Sequence, residues 1–366
     1  MIIISIISFV AVLGLLVLIH ELGHFLAAKA FGVKVEEFGF GYPPRLIGRK
    51  FRGTLYSLNW IPVGGFVKIE GVQGGDQAET LPSSAQSSFS VKPRWQRFVI
   101  LFAGIAMNTL LAAILFSIVL MVGARSSIVP EELPTNAIVS DQAITVVNLD
   151  ETALAYTNGL RVGDNIIGLN GQPTTSVATL RSELQTITTA ETVTLTIERS
   201  DTETNITTPL ITLDDGTNGI GAYFSDTGIV RLPIITALGY GFMQSGQMFI
   251  AIILGFVQIV GQLFGGESVA GEISGPLGIA SLTHQATQLG LVYLIQFAAL
   301  LSVNLAVFNL LPIPALDGGR IAFLVVETVL RRPVNQKIEA IIHNVGFLLL
   351  LLVIMLVTIK DVINLF

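Results

Sequence analysis

The sequence predicts a polytopic α-helical membrane protein, with four transmembrane helices and a β-rich domain inserted between the second and the third. Composition comes first. Of 366 residues 51% are hydrophobic and 13% charged, and the mean hydropathy is +0.72. Soluble domains carry roughly a quarter charged residues. Four apolar runs, 2–31, 98–124, 291–311 and 340–359, match the ~20 residues that cross a hydrocarbon core as helix. The third observation is a charge asymmetry between the connections.

Residues 29–97 hold ten Lys and Arg, whereas 125–231 hold five against fourteen acids. Basic loops stay in the cytoplasm, so the first connection is expected inside and the acidic one outside. Arg320, Arg331, Arg332 and Lys337 put the last connection inside as well, with the start of the chain outside. The first run ends in Leu26-Ala27-Ala28-Lys29-Ala30, superficially a signal-peptide cleavage site. It lacks a basic leader and exceeds the usual 7–15 apolar residues, so it reads as a retained span. A fifth apolar stretch, 237–264, is interrupted by Gly239, Gly241, Gln244, Ser245, Gly246 and Gln247. A crossing there would move Arg331-Arg332 outside, so the stretch is expected to be an interfacial or re-entrant helix.

The expected organisation is therefore 1–124 for the first two spans, 125–231 for the external domain, 232–289 for an interfacial segment and 290–366 for the last two spans. The chain has no cysteine, which excludes disulfides, thiolate ligands and a cysteine nucleophile. The net charge of −6 argues against nucleic acid as a partner. The lipid bilayer is the partner that composition demands.

In the external segment, 137–139, 143–147 and 193–197 read as strands. Between them, Gly159-Leu160-Arg161-Val162-Gly163-Asp164-Asn165-Ile166-Ile167-Gly168-Leu169-Asn170-Gly171 resembles a signature of bacterial PDZ domains. Asn170-Gly171 supplies a turn and 179–188 the helix of a peptide groove. Such domains take peptides by strand addition, so a peptide ligand is an expected partner.

The chemistry centres on His20-Glu21-Leu22-Gly23-His24. Residues four apart share a helix face, so His20 and His24 can grip one ion, with Glu21 beside the first ligand as general base. These are the ionisable side chains before Lys29. Ionisable residues inside a span are functional by default. A catalytic zinc usually has three protein ligands. His284 lies in an external or interfacial loop and His343 at the mouth of the last span. Asp317, the one acid between Glu272 and Glu327, is the better third ligand, because a third span running parallel to the first delivers it to the depth of His20 and His24. Pro312 and Pro314 end that span, and unwound backbone at membrane depth has to line a cavity. Residues 55–69 alternate around Pro62-Val63-Gly64-Gly65, expected as the turn of a membrane-associated β-hairpin that could pair its edge with an unwound substrate, using Gly64 and Gly65. Residues 71–90 read as a flexible linker.

The whole pattern resembles the site-2 proteases, specifically the bacterial regulator-of-sigma-E type of intramembrane metalloprotease. His20 to His24, Gly39-Phe40-Gly41, Pro62 to Lys68, Lys92 to Arg97, Gly104 to Asn108, Ser274 to Ala280 and Asn304 to Gly319 carry the resemblance. It implies Zn2+ on His20, His24 and Asp317, with Glu21 moving the proton. It also implies Asn309, in the NxxPxPxLDG motif, near the substrate backbone, with Asn304 a further substrate-binding residue. The implied substrates are transmembrane proteins, such as anti-sigma factors or remnant signal peptides, and the implied location is a bacterial inner or plasma membrane. The second-span motif departs from the family's common Gly-Pro form at Gly104-Ile105-Ala106-Met107-Asn108. Several relatives carry two PDZ domains where this chain has room for one. The alternative function is a PDZ membrane scaffold or sensor with a vestigial metal site; an intact Glu21 counts against it. A metal transporter is a weaker rival, because three clustered ligands hold zinc tightly.

Overall fold

A computed structural model describes all residues except 1, 73–86, 130–132, 151–152, 188–190, 200–201, 213–217, 266–274, 333 and 364–366. The chain divides into a helical unit, Met1–Val119 with Ala237–Phe366, and a β-rich unit, Leu120–Thr236.

The helical unit begins with α1 (Ile2–Ala30). A β ladder of β1 (Val35–Phe51) and β2 (Thr54–Ile69) follows, then α2 (Arg94–Val122). After the β-rich unit come α5 (Ile234–Gly265), α6 (Pro276–Leu289), α7 (Leu291–Leu310), α8 (Asp317–Leu330) and α9 (Gln336–Ile363). The apolar runs set α1, α2, α7 and α9 within a few residues of the expected bounds. The expected 71–90 linker falls mostly outside the described residues, and its far end is a 3-10 turn, Phe89–Val91, with Phe89 buried.

Two expectations need correction. Four spans were expected, but five helices are long and apolar enough to cross a membrane. The fifth is α5, 32 residues without a break. Gly241 and Ser245 pack this helix against α2. A Cβ on Gly241 would lie 2.2 Å from Ser117 Oγ and 2.7 Å from the Ala113 carbonyl. One turn on, Ser245 Oγ donates to the Thr109 carbonyl at 3.2 Å. Small residues spaced four apart let helix backbones approach in lipid, at about 1 kcal/mol of lost helix propensity per glycine.

The second correction concerns the hairpin turn. It lies at Arg52-Gly53, both at positive φ, not at Pro62 to Gly65. Residues 35–40 pair with 65–69 on one side and 55–58 on the other, while 45–51 pair with 54–59. The ladder order is thus 45–51, 54–59, 35–42, 61–69, and 61–69 forms an edge. Gly65 and Gly41 permit this close crossing. A Cβ on Gly65 would lie 2.9 Å from the Gly39 carbonyl, and one on Gly41 2.5 Å from the Ile61 carbonyl.

The β-rich unit is an antiparallel sheet in the order β3 (Ala124–Ser127), β11 (Ala222–Arg231), β4 (Ile138–Leu149), β5 (Asn165–Leu169), β7 (Thr192–Arg199), β8 (Thr202–Pro209). The two expected strands at 137–147 are one strand, β4, whose ladder to β11 skips around Asp141 at φ 52°. Alternation buries Val193, Leu195 and Ile197 of β7 with Leu180 and Leu184 of α4 (Val177–Thr186). The glycine-rich run folds as its composition requires. Gly159 and Gly163 take φ of 102° and 94°, Leu160 enters the core, and buried Asp164 accepts from Arg161 N–H and from the Arg199 guanidinium. Asn170-Gly171, at φ of 50° and 80°, make the tight turn into β6 (Gln172–Pro173). The unit is β-rich.

Candidate metal centre

His20 and His24 face α2 from the last third of α1. The two helices approach to backbone contact, because a Cβ on Gly23 would lie 2.3 Å from the Ala103 carbonyl. A Cβ on Gly104 would lie 2.5 Å from His24 Nε2 and 2.8 Å from His20 Cε1. Gly104 therefore makes the space in which both imidazoles stand, a role invisible without the partner helix.

Asp317 arrives from the opposite side. After α7, Pro312 and Pro314 hold the chain extended, and Ala315 turns it at φ 78° while its N–H donates to His343 Nδ1 at 2.9 Å. The loop then folds onto the first turn of α8. A Cβ on Gly318 would lie 2.1 Å from the Leu311 carbonyl, and one on Gly319 2.5 Å from the Ile313 carbonyl. The Asp317-Gly318-Gly319 run is thus a carboxylate followed by two positions with no room for a side chain. Asp317 opens α8, where the helix dipole favours a negative charge.

His20 Nε2 lies 2.9 Å from Asp317 Oδ2, His24 Nε2 lies 3.1 Å from the same oxygen, and the two Nε2 atoms are 3.1 Å apart. Ligands 2.0–2.1 Å from a tetrahedral zinc lie about 3.3 Å from one another, so the spacing suits one ion. The donor chemistry agrees. His24 Nδ1 donates to the Ile100 carbonyl at 2.8 Å, which in the neutral ring makes Nε2 the acceptor. Two imidazole nitrogens and a carboxylate oxygen crowd together at this point. A cation resolves that crowding.

Val67, on the 61–69 edge, lines the same cavity as Glu21, so β2 reaches the centre. A cavity of about 380 Å³ opens here, lined by His20, Glu21, His24, Val67, Asn309 and Asp317 among others. Asn309 lines it with its carboxamide donating to the Leu305 carbonyl. Asn304 instead donates to the Leu300 carbonyl and is not among the lining residues; neither are Gly64 and Gly65. His284 meets Ser5, and His343 holds the Ala315 turn, so neither is a ligand. The sequence reading missed Gly104 and the Ile100 carbonyl, and it left Asn108 without a role although Nδ2 of that residue lies 3.3 Å from His20 Nδ1. The signal available for Gly104 was a glycine in an apolar span.

A helix-borne His-Glu-x-x-His closed by a distant carboxylate, within apolar helices, defines a membrane-embedded metallohydrolase centre. The family model for peptidase family M50 matches residues 8–353. A Fusobacterium nucleatum protein described as a "putative zinc metalloprotease" is 35% identical over 98% of this chain and 98% of its own. The regulator of sigma-W protease RasP of Bacillus subtilis is 27% identical over 99% of both chains. Among solved structures, the PDZ domain of a Listeria monocytogenes SdrC-like protein is similar over 24% of this chain and 92% of its own, at 19% identity and a TM-score of 0.22. The chain belongs to peptidase family M50, the site-2 proteases, and is an intramembrane zinc metalloprotease.

Proposed function

We propose that His20, His24 and Asp317 hold the zinc, that Glu21 is the general base and acid, and that the substrate is a transmembrane segment unwound onto the 61–69 edge of β2. The convergence of three donor atoms within 3.1 Å of one another, with Glu21 in the same cavity, carries the reading. Bound there, zinc supplies Lewis-acid polarisation of the scissile carbonyl and acidifies the attacking water. Glu21 accepts the proton of that water and delivers it to the leaving nitrogen. A helix hides its peptide bonds in its own ladder, so a substrate has to become extended, and an edge strand beside the site offers it replacement hydrogen bonds. Asn309 lines the same cavity and can leave its own helix carbonyl to donate to the substrate backbone or the developing oxyanion.

For the membrane arrangement, the reading is that α1, α2, α7 and α9 cross, with the start of α1 and the β-rich unit on the outside of the bacterial plasma membrane. Ser5 of α1 meets His284 of α6 just before α7 begins, and Asp317 just after α7 meets the far part of α1. The two helices therefore run in the same direction. Antiparallel α2 ends where α7 starts, so the chain between them begins and finishes on one side. Basic 29–97 on the inner side and acidic 125–231 on the outer side support the same orientation. The proposed domains are 1–124, 125–231, 232–289 and 290–366. Anti-sigma factors or remnant signal peptides are the proposed substrates, the first supported by the name of the Bacillus relative, and the PDZ-like unit is the proposed holder of a peptide ligand.

The test is cleavage of a membrane-embedded model substrate by purified protein, with zinc measured alongside. Wild type is expected to cut, and Glu21→Gln to keep zinc and stop. A wild type that holds zinc and cuts nothing across a panel of short-ectodomain helices favours the scaffold instead. Zinc retained by both His20→Ala and Asp317→Ala overturns the ligand set.

A further inference from the structure

The two histidines of the centre are supported differently. His24 Nδ1 faces a main-chain carbonyl, Ile100, which only accepts. His20 Nδ1 faces a side chain, Asn108, which lies fully buried on α2. The Asn108 Nδ2 donates to it at 3.3 Å, and the Asn108 Oδ1 is buried with no hydrogen-bond partner among the described residues. The main chain of Asn108 is fixed separately, by Ser302 Oγ of α7 donating to its carbonyl at 2.8 Å.

This arrangement holds His20 with its proton on Nε2, the atom that faces Asp317 and His24. A metal ligand needs the reverse, with Nδ1 protonated and the Nε2 lone pair free. A half-turn of the carboxamide brings the unpartnered Oδ1 to Nδ1 and supplies the acceptor that the second tautomer requires. We propose that Asn108 is the positioning residue for His20: its carboxamide accepts from Nδ1–H when Nε2 engages zinc and donates to Nδ1 when it does not. A carboxamide carries both capacities on one uncharged group. A carboxylate here could serve only the zinc-bound tautomer and would cost desolvation in its absence. The proposal rests on the reading of His20 as a zinc ligand.

The experiment is zinc affinity by chelator competition on the purified full-length chain, with the absorption spectrum of the cobalt-loaded protein as a second readout. Asn108→Leu, close in shape but unable to hydrogen-bond, is expected to weaken zinc about 10–100-fold, the usual effect of losing such a support, and to shift the cobalt spectrum. Asn108→Asp, which can accept from Nδ1–H, is expected to bind zinc at least as tightly as wild type. Ser302→Ala, which frees only the Asn108 main chain, is expected to leave affinity unchanged. Wild-type affinity in folded Asn108→Leu overturns the proposal. If that variant does not fold, Asn108→Asp decides alone, and a tenfold or greater loss overturns it. His20→Ala separates the two readings, since a variant that keeps zinc defeats the ligand assignment and not merely the role of Asn108.

Discussion

The helical and β-rich units obey opposite rules. In the β-rich unit, apolar side chains are inside, with Val193, Leu195 and Ile197 at 0% exposure, and threonines alternate outward. In the helical unit, apolar side chains cover the outside, as on α9, where Leu348 is 65% exposed. The seams carry what is small or polar: Gly23, Gly104, Asn108, Gly241, Ser245 and Ser302. Lipid is as apolar as leucine, so hydrophobicity puts a helix in the membrane without choosing its neighbours. Close backbone approach and satisfied polar groups choose them. One chain therefore has to be read twice, by its hydrophobic pattern in one unit and by its exceptions in the other.

Substitutions break this comparison in order of size. Glu21→Gln is expected to cut the cleavage rate by about 10²–10⁴-fold, the usual weight of a general base, with zinc content and folding unchanged. Gly104→Ala adds a single methyl group, harmless on an exposed helix. Here the methyl would stand 2.5 Å from His24 Nε2, so zinc affinity is expected to fall by at least 10-fold, on the scale of a displaced supporting group; chelator competition reads it. An alanine that leaves affinity intact would show that the α1–α2 seam can yield. In the β-rich unit, Asp164→Asn removes the partner of Arg199, which is itself 46% exposed. The released guanidinium rehydrates, so the expected cost is only about 1–2 kcal/mol, read as faster hydrogen exchange in β5 and β7 with cleavage of a short-ectodomain substrate unchanged.

The smallest effect belongs to Lys68, which the Glu36 carboxylate beside it holds above its usual lysine range. A raised lysine contributes fully at neutral pH, and its contribution is lost as pH rises through the folded value. Lys68→Met is therefore expected to cost at most about 1 kcal/mol, the range for exposed pairs, with the gap from wild type closing above that value. A pH-dependent loss of stability near neutrality in the variant would contradict this assignment.

Local patterns were legible. The apolar runs announced α1, α2, α7 and α9, the His20–His24 spacing announced a two-point grip on one helix face, and Asn170-Gly171 announced a turn. Each of those inferences needs only neighbours a few residues away. Misreadings arose where a glycine or proline has two meanings. Gly241 looked like a breaker of α5 and is a contact with α2, and Gly65 looked like a turn and is a strand crossing.

The sequence by itself determined which residues could do zinc chemistry and that they lie in a membrane, because ligand spacing and hydropathy are properties of contiguous chain. Only the tertiary structure decided that Asp317, 297 residues from His20, closes to 2.9 Å, that Val67 lines the cavity of Glu21, and that Asn108 stands behind His20. These contacts are made across helix seams and a strand edge, and no periodicity along the chain encodes which seam meets which.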